Sequence, residues 1–238
     1  MDPTAAVFDR MDEWRHLPKY QLERRSDVFF SLYLPEVLEA RLGFPIRPEV
    51  TPEFPVRKAT IYPDHRGDDC CNIDYLALST TGAESLFVEL KTDQGSRRVR
   101  QDDYLVRAQQ VGLAALLDGV CSIFRATSRQ YRPKWFTLLL HLERSRLLQI
   151  PTRLKDIMSG DSHRGAPEAS RNIVITAPTS TPRIVYVQPH ADVDEHVVAI
   201  SFEEFAAVVA RHSDPVSQRF AASLLEWARS PAGGGAWP

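Results

Sequence analysis

Two apolar runs, IDYLAL and SLFVEL, lie between Ile73 and Leu90, separated by STTGAE. No other stretch restricts the fold as tightly. Each run has strand length and carries β-branched and aromatic side chains. A short connection containing glycine closes such runs into an antiparallel hairpin. Strand geometry then decides where the charges go. Side chains alternate faces, so Glu89 and Lys91 project to one side and Leu90 to the other. Asp74 opens the partner strand. The end of one strand and the start of its antiparallel partner share an edge, which sets Asp74 beside Glu89.

Two carboxylates and the Leu90 carbonyl would make an oxygen-rich pocket of the kind Mg²⁺ takes, with Mn²⁺ able to substitute. A lysine ammonium next to it would hold a water attacking a phosphodiester and help to deprotonate it. The metal would lower that water's pKa and stabilise the charge that builds on phosphorus. The plain alternative is a salt bridge capping a hairpin, worth a fraction of a kcal/mol when exposed. Fourteen glutamates and five lysines in 238 positions make less than one chance Glu-x-Lys, so the tripeptide alone says little. Its context says more. It is the only Glu-x-Lys in the chain, and it ends an apolar strand.

The flanking order adds to this. SDVFFSLYLPEVLEARLG reads as a helix from an N-cap at Ser26 to a stop at Gly43, kinked or split at Pro35. FPVRKATIYP suggests a strand carrying Val56 and Ile61, and PDHRGDDC a polar loop. From Ser96 to about Asp118 the spacing is helical, with Gln101, Leu105, Ala108, Gly112 and Ala115 on one face and Gly119 just past the end. WFTLLLHLE, Trp135 to Glu143, reads as a strand buried on both faces. Residues 159–172 read as a mobile polar loop. IVYVQP and HVVAIS read as strands, FEEFAAVVARH and PVSQRFAASLLEWARS as helices, and SPAGGGAWP as a disordered tail.

Asp74, Glu89-Leu90-Lys91 and this helix–strand–strand–strand–helix–strand order resemble the PD-(D/E)XK nuclease superfamily. The resemblance covers residues 26–143. It implies a restriction-endonuclease-like α/β core, in which helices flank a mixed central sheet. Residues 1–25 would form an N-terminal segment, 144–230 a C-terminal α/β extension packed on the core, and 231–238 the tail. It further implies Asp74 and Glu89 as Mg²⁺ ligands with the Leu90 carbonyl, and Lys91 and Gln101 as catalytic partners. An acid on the first helix, Glu36 or Glu39, would join the metal site. Gln109 ranks below Gln101 because Gln101 lies nearer the start of its helix. The literal Pro63-Asp64 falls in a loop before the strand, so Asp74 is preferred.

The implied function is a metal-dependent deoxyribonuclease, with DNA as partner ahead of RNA, no membrane partner, and room for a homodimer. A second reading keeps the fold as an inactive nucleic-acid-binding or assembly subunit. A third makes the pattern a coincidence in another α/β protein.

Composition sets outer bounds. Net charge is −2, and 24 of the 29 basic residues are arginine, so no whole-molecule field points to a polyanion. Local basic charge is enough for phosphate contacts, and Arg97, Arg98 and Arg100 follow Lys91 at a helix start. The three cysteines, two of them adjacent, argue against a disulfide framework and for a cytoplasmic setting. The opening MDPTAAVFDRMDEWRH lacks a basic start and an apolar stretch, so no secretory signal is expected. His65, Cys70 and Cys71 lack zinc-ligand spacing. Cys121 reads as a small buried hydrophobe, His141 as a satisfied strand histidine, and Trp14, Trp135, Trp227 and Tyr104 as packing residues.

Overall fold

Helix α1 (Pro3–Trp14) starts at Asp2, whose side chain accepts from the Thr4 amide at 3.0 Å, and at Pro3, where a missing N–H costs nothing. It belongs to a computed structural model that describes residues 2–17, 20–92, 99–191 and 197–229. Helix α2 (Leu22–Leu42) begins four residues before the expected N-cap. Ser26 is buried inside it, and its hydroxyl donates to the Leu22 carbonyl at 2.8 Å. A serine that bonds back along a helix looks like a cap when only the sequence is read. Pro35 does not split α2, and Gly43 ends it in the left-handed conformation at φ 77°.

Strand β1 (Thr51–Arg57) stops short of Ile61, which lies in the one-turn helix α3 (Lys58–Ile61). Strands β2 (Cys70–Leu78) and β3 (Ser85–Leu90) follow, and the Ser79 amide donates to the Glu84 carbonyl across their turn at 3.0 Å. Helix α4 (Val99–Ala126) is interrupted at Gly112, at φ 80° and ψ 159°. Leu105 and Ala108 before the break, and Leu113, Leu116 and Leu117 after it, are buried. Gly119 is not a helix stop. It lies within α4, where an added Cβ would fall 2.7 Å from Thr60 Oγ1.

WFTLLLHLE is helical, in α5 (Arg132–Arg144). Pro133 starts it, and Leu139 and Leu142, one turn apart, are its buried residues. Consecutive apolar residues imitated a buried strand where the period was that of a helix. Strand β4 (Leu148–Gln149), α6 (Thr152–Ser159), α7 (Ala166–Ala169), a 3₁₀ turn (Ser170–Asn172) and β5 (Val174–Ile175) come next. The stretch expected as a mobile loop therefore folds partly into short helical turns. Strands β6 (Arg183–Gln188) and β7 (Val198–Ser201) and helices α8 (Phe202–Val209) and α9 (Pro215–Arg229) complete the described chain. Ser201 and Glu204 form a reciprocal capping box on α8. The tail expected to be disordered lies outside the described residues.

The fold is mixed α/β. A five-stranded mixed sheet has the order β1-β2-β3-β6-β7, and helices flank it. β1 and β2 are antiparallel, with Phe54 opposite Ile73; β6 and β7 are parallel, with Val187 opposite Ile200. The strand that follows the hairpin in the sheet is thus 183–188, not 135–143. Among the described residues no helix is long and apolar enough to cross a membrane.

The chain divides into two discontinuous compact units, Met1–Val50 with Val88–Asp102 and Ile184–Pro238, and Thr51–Phe87 with Asp103–Arg183. In the first, Phe8, Phe30, Phe202, Phe205, Phe220 and Trp227 are buried together. Phe30 meets Phe205 edge-on at 5.1 Å and Phe220 at 5.2 Å, arrangements worth about 0.5–1.5 kcal/mol each beyond burial. Asp12 ties α1 to α9 by accepting from Trp227 Nε1 at 2.7 Å and Arg219 Nη2 at 2.5 Å. Trp14, expected in the core, is 41% exposed. In the second unit aliphatic residues such as Ile73, Leu116, Leu139 and Leu154 are buried with Phe54, Phe87 and Phe124.

Candidate active site

Every residue of β3 is buried, so a charge on this strand has no water of its own. Glu89 is 0% exposed and Lys91 4%. Strand alternation sends both side chains the same way, and Lys91 Nζ donates to Glu89 Oε2 at 3.2 Å. The same ammonium donates to the Leu90 carbonyl at 3.1 Å. The Lys91 backbone is itself fixed, because its amide donates to the Val187 carbonyl at 2.8 Å.

The start of α4 supplies a third group. Gln101 Nε2 donates to Glu89 Oε2, the oxygen that also takes the lysine. One turn of helix and one strand end thus converge on a single carboxylate oxygen. Beside them, Glu23 Oε1 in the first turn of α2 accepts from the Thr92 amide at 3.4 Å. Glu23 escaped the sequence reading because the helix was started at Ser26. The signal that would have found it is Leu22, four residues ahead of Ser26 and buried like it.

Burying an ammonium and a carboxylate costs several kcal/mol per ion, which their attraction offsets only with good geometry and further hydrogen bonds. The extra bonds from Gln101 and to Leu90 serve that purpose. The cluster offers hard oxygen donors in a dry setting. A carboxylate and a backbone carbonyl suit Mg²⁺, which keeps several waters and needs few protein ligands. Among the described residues no three His, Cys, Asp or Glu side chains form a ready metal cage, so a metal here would rest on one or two carboxylates and water.

The other expected site residues are placed as follows. Asp74 lies half-buried on β2 in the second unit, between buried Ile73 and Tyr75. Arg100 is exposed in the first turn of α4, while Arg97 and Arg98 lie outside the described residues. Glu36 and Glu39 are thirteen and sixteen residues beyond Glu23, roughly 20 Å or more along the helix at 1.5 Å per residue. Glu36 pairs there with His212 at 2.7 Å and Arg211 at 3.9 Å. Neither glutamate joins Glu89.

Gln109 Nε2 donates to the Pro182 carbonyl at 2.8 Å and the Tyr104 hydroxyl to the Asn72 carbonyl at 2.9 Å. His141, on a helix and not a strand, bonds Thr51 Oγ1 at 3.0 Å. His65 pairs with Asp69 at 2.5 Å, and all three cysteines are free thiols. Burial pushes the Cys121 thiol up to about 11. No protein-family model, curated protein or solved structure matches the chain.

Proposed function

We propose that the chain is a metal-dependent nuclease that hydrolyses phosphodiester bonds of DNA. The observation that carries this reading is the Glu89–Lys91 pair, buried, bridged to the Leu90 carbonyl and gripped by Gln101. A buried ion pair contributes little net stability, so its retention at a strand end argues for chemistry.

The element order supports the same reading. Helix α2, strands β1 to β3, helix α4 and strand β6 follow one another in an order compatible with the restriction-endonuclease-like core if α3, α5 and the 148–175 region are taken as insertions.

In this reading Glu89 and the Leu90 carbonyl would hold Mg²⁺, and the sequence resemblance makes Asp74 the candidate second carboxylate. Glu23 replaces Glu36 and Glu39 as the first-helix acid. Bound Mg²⁺ supplies an acidified water and offsets the charge that develops on the phosphate. Gln101 keeps the Glu89 carboxylate in one orientation. Lys91, drawn off the Leu90 carbonyl, donates a hydrogen bond to the attacking water and orients it. Arg97, Arg98 and Arg100 are the proposed contacts to backbone phosphates.

Titration calorimetry with Mn²⁺ tests the metal. Wild-type protein should bind it, and Glu89→Ala should not. Protein that binds duplex DNA but neither Mn²⁺ nor Mg²⁺ would be a nuclease-like binding module instead.

A further inference from the structure

We infer that Tyr186 is a positioning residue for Gln101, acting through Asp102. The inference rests on the nuclease reading only for its kinetic consequences.

Tyr186 stands in the middle of β6 and is 1% exposed. Its hydroxyl donates to Asp102 Oδ1 at 2.5 Å, the length of an O–H···O⁻ bond and of the stronger, charge-assisted kind. Asp102 directly follows Gln101 in the first turn of α4. That turn is the weakest part of a helix, because its leading amides have no carbonyl partners behind them. An acid in a first turn also interacts favourably with the positive end of the helix dipole. The Tyr186–Asp102 bond therefore fastens the turn that carries Gln101 to a strand paired on both sides in the sheet.

Backbone pairing holds the strand from both sides. Tyr186 pairs with Ala199 in the parallel β6–β7 ladder. The next residue, Val187, accepts the Lys91 amide at 2.8 Å. Adjacent residues of one strand thus anchor two members of the site: Val187 fixes the backbone of Lys91, and Tyr186 fixes the helix turn of Gln101. One dipeptide serves both because the Val187 carbonyl points along the plane of the sheet while the Tyr186 side chain leaves it.

Tyr186→Phe keeps the buried ring and removes only the hydroxyl. The direct readout is the Gln101 side-chain amide pair in a ¹⁵N–¹H correlation spectrum, assigned by its loss in Gln101→Ala. In wild-type protein these signals should be shifted and protected from solvent exchange. Tyr186→Phe and Asp102→Ala should both return them toward free-glutamine positions, while Asp102→Asn, which keeps an acceptor, should leave them largely in place. Unchanged signals in Tyr186→Phe overturn the inference, whether or not the protein cleaves DNA.

The kinetic arm is a double-mutant cycle. Tyr186→Phe should lower kcat roughly ten-fold with KM little changed, and should do nothing further in a Gln101→Ala background. Additive losses would assign Tyr186 a merely structural role. Wild-type protein without cleavage, but with the expected amide shifts, would refute the nuclease reading and leave the positioning role standing.

Discussion

Two lysines in this chain sit at strand ends and pair with an acid, and their surroundings are opposite. Lys58 follows β1 and reaches Asp69 at 2.5 Å, with side chains 38% and 52% exposed. Lys91 follows β3 and reaches Glu89 at 3.2 Å, with side chains 5% and 0% exposed. The closer pair is the ordinary one. In water it gains little and is easily dispensed with. The longer pair has given up its hydration and depends on Gln101 and the Leu90 carbonyl. Distance alone would have ranked them the wrong way round; burial separates a surface contact from a site.

The sharpest way to break that contrast is to remove one partner from each pair. Glu89→Ala should cost roughly 3–5 kcal/mol of unfolding free energy, because it strands a buried ammonium. The double change Glu89→Leu with Lys91→Met should recover most of that loss, since an apolar pair of similar volume is often neutral or better. Chemical denaturation of the three proteins measures both effects. A double variant as unstable as the single one would mean that the pair serves stability after all.

A carboxylate buried for structure alone sharpens the comparison from the other side. Asp12 holds Trp227, Arg219 and Ser223 but touches no part of the candidate site. Asp12→Ala should cost about 1–3 kcal/mol for the donors it leaves unpaired. It should not change Mn²⁺ affinity by calorimetry.

The smallest effects belong to the exposed pair. Hydrogen bonds from Lys58 and then His65 hold the Asp69 carboxyl down to about 2, from an ordinary value of 3.8. A folded pKa below the unfolded one contributes stability that is present above about 4 and is lost as pH falls toward 2. Asp69→Asn should therefore lower the denaturation midpoint slightly at pH 7, flatten the acid limb between those values, and converge with wild type near pH 2. Thiol titration gives a parallel check on burial. Cys121, 2% exposed, should resist a thiol reagent in the native protein while half-buried Cys70 and Cys71 react more readily.

What could be read from the sequence follows the same division between local and tertiary causes. Alternation along a strand is a local rule, so the common side of Glu89 and Lys91 was legible. Helical spacing likewise put Gln101 near the start of α4. Glu23 was not legible, because Ser26 has the chemistry of an N-cap and only the Leu22 carbonyl shows that it is not one. The fourth strand was misplaced for a similar reason. Trp135 to Glu143 has the composition of a buried strand, and its helical burial at Leu139 and Leu142 appears only once α5 is packed. Tyr186 and Asp102 are 84 residues apart, and no local pattern joins them.

Plasmid DNA cleavage, by protein first stripped with chelator and then given Mg²⁺ or Mn²⁺, decides whether the buried pair serves metal-dependent hydrolysis. Cleavage should appear only with the metal, and fall roughly 10²–10⁴-fold in Lys91→Ala and comparably in Glu89→Ala and Asp74→Ala. Cleavage that survives chelation, or that persists in both Asp74→Ala and Lys91→Ala, would contradict that role.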